Sequence, residues 1–204
     1  YDCFIVASYG KIIPQNILDI PLRGTLNVHP SLLPRFRGPD PIRAQILADE
    51  KEVGVSIMLL DKEVDHGPLL AKEMVQIENL PLRASELENA LARAGGKLLS
   101  RILPDYLSGK LKPEEQDHSQ ATFTKKVEKK DGELDLSADP YQNFLKILAY
   151  DGWPGTYFFI ERAGKKIRVI IKDADFVDGK LILKKVLPEG GKEISYEDFL
   201  RGLK

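Results

Sequence analysis

The sequence predicts an α/β fold: a partial, doubly wound, mostly parallel sheet followed by a small β-barrel. Three observations carry this. In the first half, short apolar runs alternate with helical patterns, the order that builds parallel sheets. From residue 121 onward the texture changes to short β-rich runs separated by turn signals. Between the two lies a polar stretch without periodicity, SGKLKPEEQDHSQ, which reads as a linker. The predicted organisation is therefore a first domain over 1–106, a linker over 107–120 and a second domain over 121–204. A length of 204 residues, with 43% hydrophobic and 30% charged residues, suits a globular chain of one or two domains.

The elements follow in order. Residues 3–8 (CFIVAS) are an apolar run of the kind a strand buried on both faces shows. Tyr9-Gly10-Lys11 is a turn, and Pro14 opens a short helix over 16–20. Residues 24–29 (GTLNVH) read as a second strand. Residues 30–41 hold four prolines and a glycine and read as an ordered loop. A helix is predicted over 42–49, a strand over 55–60, a polar loop over 61–67 and a strand over 69–76. Ser85 with Glu88 three residues later forms a capping box for a long helix. Its apolar positions at 87, 91, 94, 98, 99 and 102 have helical spacing, and Pro104 is expected to stop or kink it. In the second half a helix covers 140–149. Strand-like runs at 156–160, 166–172, 174–177 and 180–187 are separated by turns such as Ala163-Gly164-Lys165 and Asp178-Gly179.

Composition excludes several classes. The net charge is −1, so no global basic field announces nucleic acid. The halves differ slightly: residues 1–120 carry 14 Lys and Arg against 17 Asp and Glu, whereas 121–204 carry 16 against 14. The second half is thus a weakly basic module. A single cysteine, Cys3, builds no disulfide framework and fits a reducing compartment. No apolar run approaches the ~18–20 residues needed to cross a bilayer, so no membrane role is expected. The chain begins with Tyr1 already inside a strand-like run, and reads as lacking its natural start.

The densest chemical signal is Asn27-Val28-His29-Pro30-Ser31-Leu32-Leu33-Pro34. Asn27 and His29 are two apart on a strand, so their side chains share one face. They lie at a strand's carboxyl end, where open α/β sheets bind ligands. Asn supplies a donor that cannot titrate, and His a group that can. A structural Asn at a turn and a satisfied, half-buried His would give the same residues. The second signal is Asp61-Lys62-Glu63-Val64-Asp65-His66-Gly67-Pro68, an acidic loop directly after an apolar strand; a solvated turn would also fit. Metal binding needs three or four converging ligands, and no such spacing exists. No nucleophile elbow surrounds Ser31, and no glycine-rich phosphate loop is present.

The run N-V-H-P-S-L-L-P-R-F-R-G, followed by G-V-S-I-M-L-L-D-K-E-V-D-H-G-P-L-L, resembles the folate-dependent formyltransferases. Residues 7–14 (ASYGKIIP) are similar to that family's folate-pocket loop. The segments SQATFTKKV at 119–127, DGELDL at 131–136 and GWPGTY at 152–157 resemble the C-terminal domain of the methionyl-tRNA branch. The resemblance implies a formyltransferase fold with an OB-like second domain. It places a catalytic trio on Asn27, His29 and Asp65. It places folate contacts on Tyr9, Gly10, Lys11, Ile12, Ile13, Ser31, Leu32, Leu33, Pro34 and Val64. Two departures are Pro30, where many of these enzymes have Gly, and Asp151-Gly152, where Asn-Pro is common.

On that resemblance, the expected reaction moves a formyl group from 10-formyltetrahydrofolate to the amine of initiator methionyl-tRNA, with no metal. Asn27 and protonated His29 can donate to the oxyanion of a tetrahedral intermediate, and His29, or a water shared with Asp65, can carry the proton. Lys125, Lys126, Lys129 and Lys130 are candidates for the tRNA backbone; a solvated lysine-rich surface is the plain alternative. A cytoplasmic monomer is expected. The alternatives are a sugar or nucleotide-sugar N-formyltransferase, and an inactive fragment or binding module.

Overall fold

Phe4–Ala7 forms the first strand, β1, and Thr25–His29 forms β2 parallel to it, with Ala7 opposite Val28. These elements belong to a computed structural model that describes residues 1–162 and 164–203. The expected turn residue Ala163 lies outside the described residues, as does Lys204. The chain divides into two units. The first comprises Tyr1–Gln45, Glu50–Leu80 and Glu86–Lys126; the second comprises Ile46–Asp49, Pro81–Ser85 and Val127–Lys204. The stretch 107–120, expected as a linker, lies within the first unit, as do residues 121–126.

In the first unit β3 (Gly54–Leu59) and β4 (Leu69–Met74) complete a four-stranded sheet of order β1-β2-β3-β4. The sheet is mixed, not mostly parallel: β2 with β3 and β3 with β4 run antiparallel. The loop between β3 and β4 is too short for the crossover that a parallel partner requires. Between β1 and β2 lies the short helix α1 (Gln15–Leu18), and before β3 lies α2 (Pro41–Leu47).

The long helix α3 (Ala84–Leu107) buries Leu87, Leu91 and Leu98. It passes so near β2 that a Cβ on Gly95 would stand 2.5 Å from Val28 Cγ1. Two sequence expectations change here. The helix starts at Ala84, which puts Ser85 inside the first turn instead of at the cap. It also runs through Pro104, because a proline in the last turn removes only one intrahelical hydrogen bond.

The second unit is an antiparallel sheet of order β5-β6-β7-β8 with helices α4 (Pro140–Ala149) and α5 (Tyr196–Arg201). Its strands are β5 (Thr156–Arg162), β6 (Lys165–Val177), β7 (Lys180–Pro188) and β8 (Ile194–Ser195). The runs predicted at 166–172 and 174–177 are one strand. The register slips around Asp173, so the strand bulges there instead of ending. Asp178 (φ 50°) and Gly179 (φ 75°) make the β6–β7 turn, both left-handed as a type I′ hairpin requires. The core gathers Leu134, Ile147, Phe158, Val169, Ile171, Val186 and Phe199.

Candidate active site

Strand alternation sets the site. Val28 faces α3, so its neighbours Asn27 and His29 face the opposite side of the sheet. Ser56, paired with His29 across β2 and β3, shares that face. It fixes the proline-rich loop: its hydroxyl donates to the Ser31 carbonyl (2.7 Å) and accepts from the Leu33 N–H (3.0 Å). The Ser31 hydroxyl donates to the Arg35 carbonyl (2.7 Å).

His29 is 3% exposed. Its Nε2 donates to the Phe36 carbonyl at 3.0 Å, and its Nδ1 stands 3.5 Å from Asp65 Oδ1. Burial pushes the imidazole below its ordinary value; the Asp65 carboxylate and the Phe36 carbonyl oppose this, and the nearby Arg37 cation adds to it. With Nε2 as the donor, the neutral ring leaves Nδ1 able to accept a proton, and the imidazolium so formed faces a carboxylate. The Asn27 side chain is half-buried and has no hydrogen bond among the described residues.

Asp65 reaches His29 by an indirect route. Because β3 is antiparallel to β2, its carboxyl end lies beside Thr25, where the Leu60 N–H donates to the Thr25 carbonyl (2.8 Å). The loop then folds back across the sheet face. Asp65 sits there in a left-handed conformation (φ 50°) and accepts a 2.7 Å hydrogen bond at Oδ2 from the Gly38 N–H. Gly38 is constrained too: at φ 109°, an added Cβ would lie 2.8 Å from Thr124 Oγ1. Asp61, read from the sequence only as part of the acidic loop, organises that loop. It accepts from His66 Nδ1 (2.7 Å) and from the Glu63 N–H (2.9 Å).

The structure thus joins His29 and Asp65 directly and sets Asn27 on the same face. The residues expected to contact folate divide. Ser31 and Leu33 are fully buried, and Leu32 and Pro34 are half-buried. Tyr9 and Val64 are exposed, Ile12 is 88% exposed, Gly10 and Lys11 are exposed and Ile13 is half-buried. Pairing of Ala7 with Val28 makes the loop of Tyr9–Ile13 leave the sheet beside His29. Lys125, Lys126, Lys129 and Lys130 are all exposed; Lys130 pairs with Glu128 at 2.7 Å. Among the described residues no group of three or more His, Cys, Asp or Glu could hold a metal ion, and no helix is long and apolar enough to cross a membrane. Arg37, Gly67 and Gln116 were not singled out as site residues from the sequence. Gln116 stands in the polar stretch that carries no periodic or motif signal.

A mixed sheet that presents an Asn-x-His strand to a folded-back Asp loop defines a class, and a family comparison identifies it. The family model described as formyl transferase matches residues 1–103, and the chain belongs to that family. A curated relative named methionyl-tRNA formyltransferase, from Chloroflexus aurantiacus (strain J-10-fl), is 42% identical over 187 residues, 92% of this chain. The chain spans 59% of that relative's length. Among solved structures, the methionyl-tRNA formyltransferase from Clostridium thermocellum matches with a TM-score of 0.70 at 20% identity, covering 95% of this chain and 78% of that one. HypX from Aquifex aeolicus in complex with tetrahydrofolic acid matches with a TM-score of 0.73 at 19% identity, covering 98% and 38%. Both structures share the formyltransferase fold with this chain.

Proposed function

We propose that this chain carries the reacting residues of a methionyl-tRNA formyltransferase, which moves the formyl group of 10-formyltetrahydrofolate to the α-amino group of initiator methionyl-tRNA. The observation that carries the reading is the buried His29, set between the Phe36 carbonyl and the Asp65 carboxylate on the face that also bears Asn27. The names of the curated relatives support the acceptor.

The neutral amine attacks the formyl carbon, and the carbonyl oxygen becomes an oxyanion. The Asn27 amide donates to it; one such donor is worth ~3–4 kcal/mol. His29 Nδ1 takes a proton from the attacking nitrogen, and Asp65 faces the resulting imidazolium. The bond to N10 of the folate then breaks as that nitrogen receives the proton. The new C–N bond replaces the old one, and no oxidant or metal enters.

Folate lies against the loop of Tyr9–Ile13 and against Val64. Buried Ser31 and Leu33 hold the shape of the adjoining loop, with Leu32 and Pro34 at its surface. Lys125, Lys126, Lys129 and Lys130 meet tRNA phosphates without reading bases. The second unit is barrel-like in the OB sense, supported by a 13-residue β6 that bulges at Asp173. The enzyme works as a cytoplasmic monomer.

The test is formyl transfer by the full-length protein from 10-formyltetrahydrofolate. Product on initiator methionyl-tRNA, lost by at least ~100-fold in His29→Ala and in Asn27→Ala, is the expected result. Transfer to an amino-sugar nucleotide but not to the tRNA would replace the acceptor. Retention of a third of the rate by His29→Ala would overturn the mechanism.

A further inference from the structure

The Asp65 loop is held from behind by a residue far along the chain. Gln116, 5% exposed, donates from Nε2 towards three successive carbonyls, those of Asp65 (3.0 Å), His66 (3.1 Å) and Gly67 (2.7 Å). Its Oε1 accepts from Arg37 Nε (3.2 Å) and from an Arg37 terminal nitrogen (2.6 Å). Arg37 is itself 3% exposed, and no carboxylate pairs with it among the described residues. A buried cation is costly unless its donors are satisfied. Here Nε and one terminal nitrogen are held by Gln116 and by His118 Nδ1 (2.9 Å), and the ring of Phe123 lies 6.0 Å from the guanidinium carbon. Arg37 is one residue from Phe36, whose carbonyl takes the His29 hydrogen, and one from Gly38, whose N–H holds Asp65. The same short segment therefore grips both catalytic partners.

We infer that Gln116, oriented by buried Arg37, is the positioning residue that fixes Asp65 opposite His29. Gln suits the task because one amide both accepts from the guanidinium and donates to the loop, which no carboxylate or aliphatic side chain does. The hydrogen bonds to Arg37 are charge-assisted, so the amide is held firmly against rotation. The inference rests on the assignment of Asp65 and His29 as reacting groups.

The test compares Gln116→Glu, Gln116→Met and Asp65→Asn in the full-length protein, with exposed Glu115→Ala as control. Gln116→Glu keeps an acceptor for Arg37 and so keeps the fold, but opposes a carboxylate to three carbonyls. The expected result for both Gln116 variants is a kcat lowered at least tenfold, with KM for 10-formyltetrahydrofolate within twofold. Among the described residues the charged groups that act on His29 are Asp65 and Arg37. Withdrawing Asp65 removes its upward pull on the imidazole, so in Gln116→Met the acid limb of the kcat profile moves to lower pH. A merely structural Gln116 would lower the melting temperature and leave that limb in place, which would refute the inference. So would full activity in Gln116→Glu while Asp65→Asn is impaired. If Asp65→Asn is itself fully active, the underlying assignment fails instead.

Discussion

Gly67→Ala tests the loop's placement with the trio left chemically intact. A Cβ at Gly67 would lie 2.1 Å from the Leu59 carbonyl oxygen and 3.1 Å from its carbon. An ordinary contact is ~3.5 Å, so the shortfall is about 1.4 Å. Leu59 closes β3, an inner strand, and is paired with Leu26 of β2, so the loop yields more readily than the strand does. Asp65 is two residues away and stands 3.5 Å from His29 Nδ1. Displacements near 1 Å cost on the order of 100-fold in rate, about 2.7 kcal/mol of barrier. Overpacking should also cost ~1–3 kcal/mol of stability. The assay is single-turnover formyl transfer by the full-length protein at saturating folate, with a thermal melt alongside. Gly96→Ala is the control: its added Cβ meets nothing within 4 Å, and alanine favours the helix by up to ~1 kcal/mol. A Gly67→Ala kcat within about threefold of the unsubstituted protein, with Asp65→Asn severely impaired, would show that the loop tolerates displacement and the geometric reasoning is wrong.

Asp65→Asn should lose at least ~100-fold in kcat, the scale of a misplaced or missing reacting group, whereas Asp61→Asn should lose less than tenfold, since Asp61 acts only through His66 and the loop backbone; equal losses measured side by side would assign the effect to total loop charge. His29, buried and held below its ordinary 6.5, makes the kcat profile fall on the acid side with an apparent value under 6.5. The same group destabilises the fold as pH drops: the unfolded chain takes up the proton first, so stability declines from pH ~6.5 towards the folded value by at most ~1.4 kcal/mol per unit, and His29→Gln should remove that part of the slope in denaturant titrations. An acid limb above 6.5 would contradict a neutral resting imidazole. Replacing Lys125, Lys126 and Lys129 by Gln should weaken tRNA binding and flatten its log–log salt slope by ~0.7–0.9 per lost phosphate contact, without changing transfer to a small amine; an unaltered slope would move the tRNA contacts elsewhere.

The parts of this molecule legible in the sequence are those set by local rules. Period-two alternation placed Asn27 and His29 on one face, and Asp178-Gly179 announced its hairpin. What local rules do not encode was missed. The direction of β3 depends on which sheet edge the chain reaches after the proline-rich loop, and no spacing in residues 54–59 records it. Strand carboxyl ends alone therefore do not explain how Asp65 comes to lie beside His29; the fold-back of its loop does. Asp173 looked like a break because a bulge and a strand end both interrupt alternation. Gln116 and Arg37 escaped because a polar residue buried for its hydrogen bonds looks, in sequence, like any solvated one. The burial of the Ser31 and Leu33 side chains is equally invisible in the sequence, because a loop rich in proline carries no period that separates inward from outward positions.

The return of residues 114–124 to the first sheet matters for anyone cutting or grafting this chain. Glu114 pairs with Leu69, and Thr122 and Thr124 bracket Arg37. A piece ending at residue 103, where the family match stops, would keep Asn27, His29, Asp65 and the whole first sheet. It would nonetheless strip away the strap behind the Asp65 loop and uncover Arg37. The smallest transplantable unit of this site therefore extends some twenty residues past the family match, to Lys126. Swaps between relatives made at the earlier seam would exchange half of a mutual fit, and their poor activity would say nothing about the residues that react.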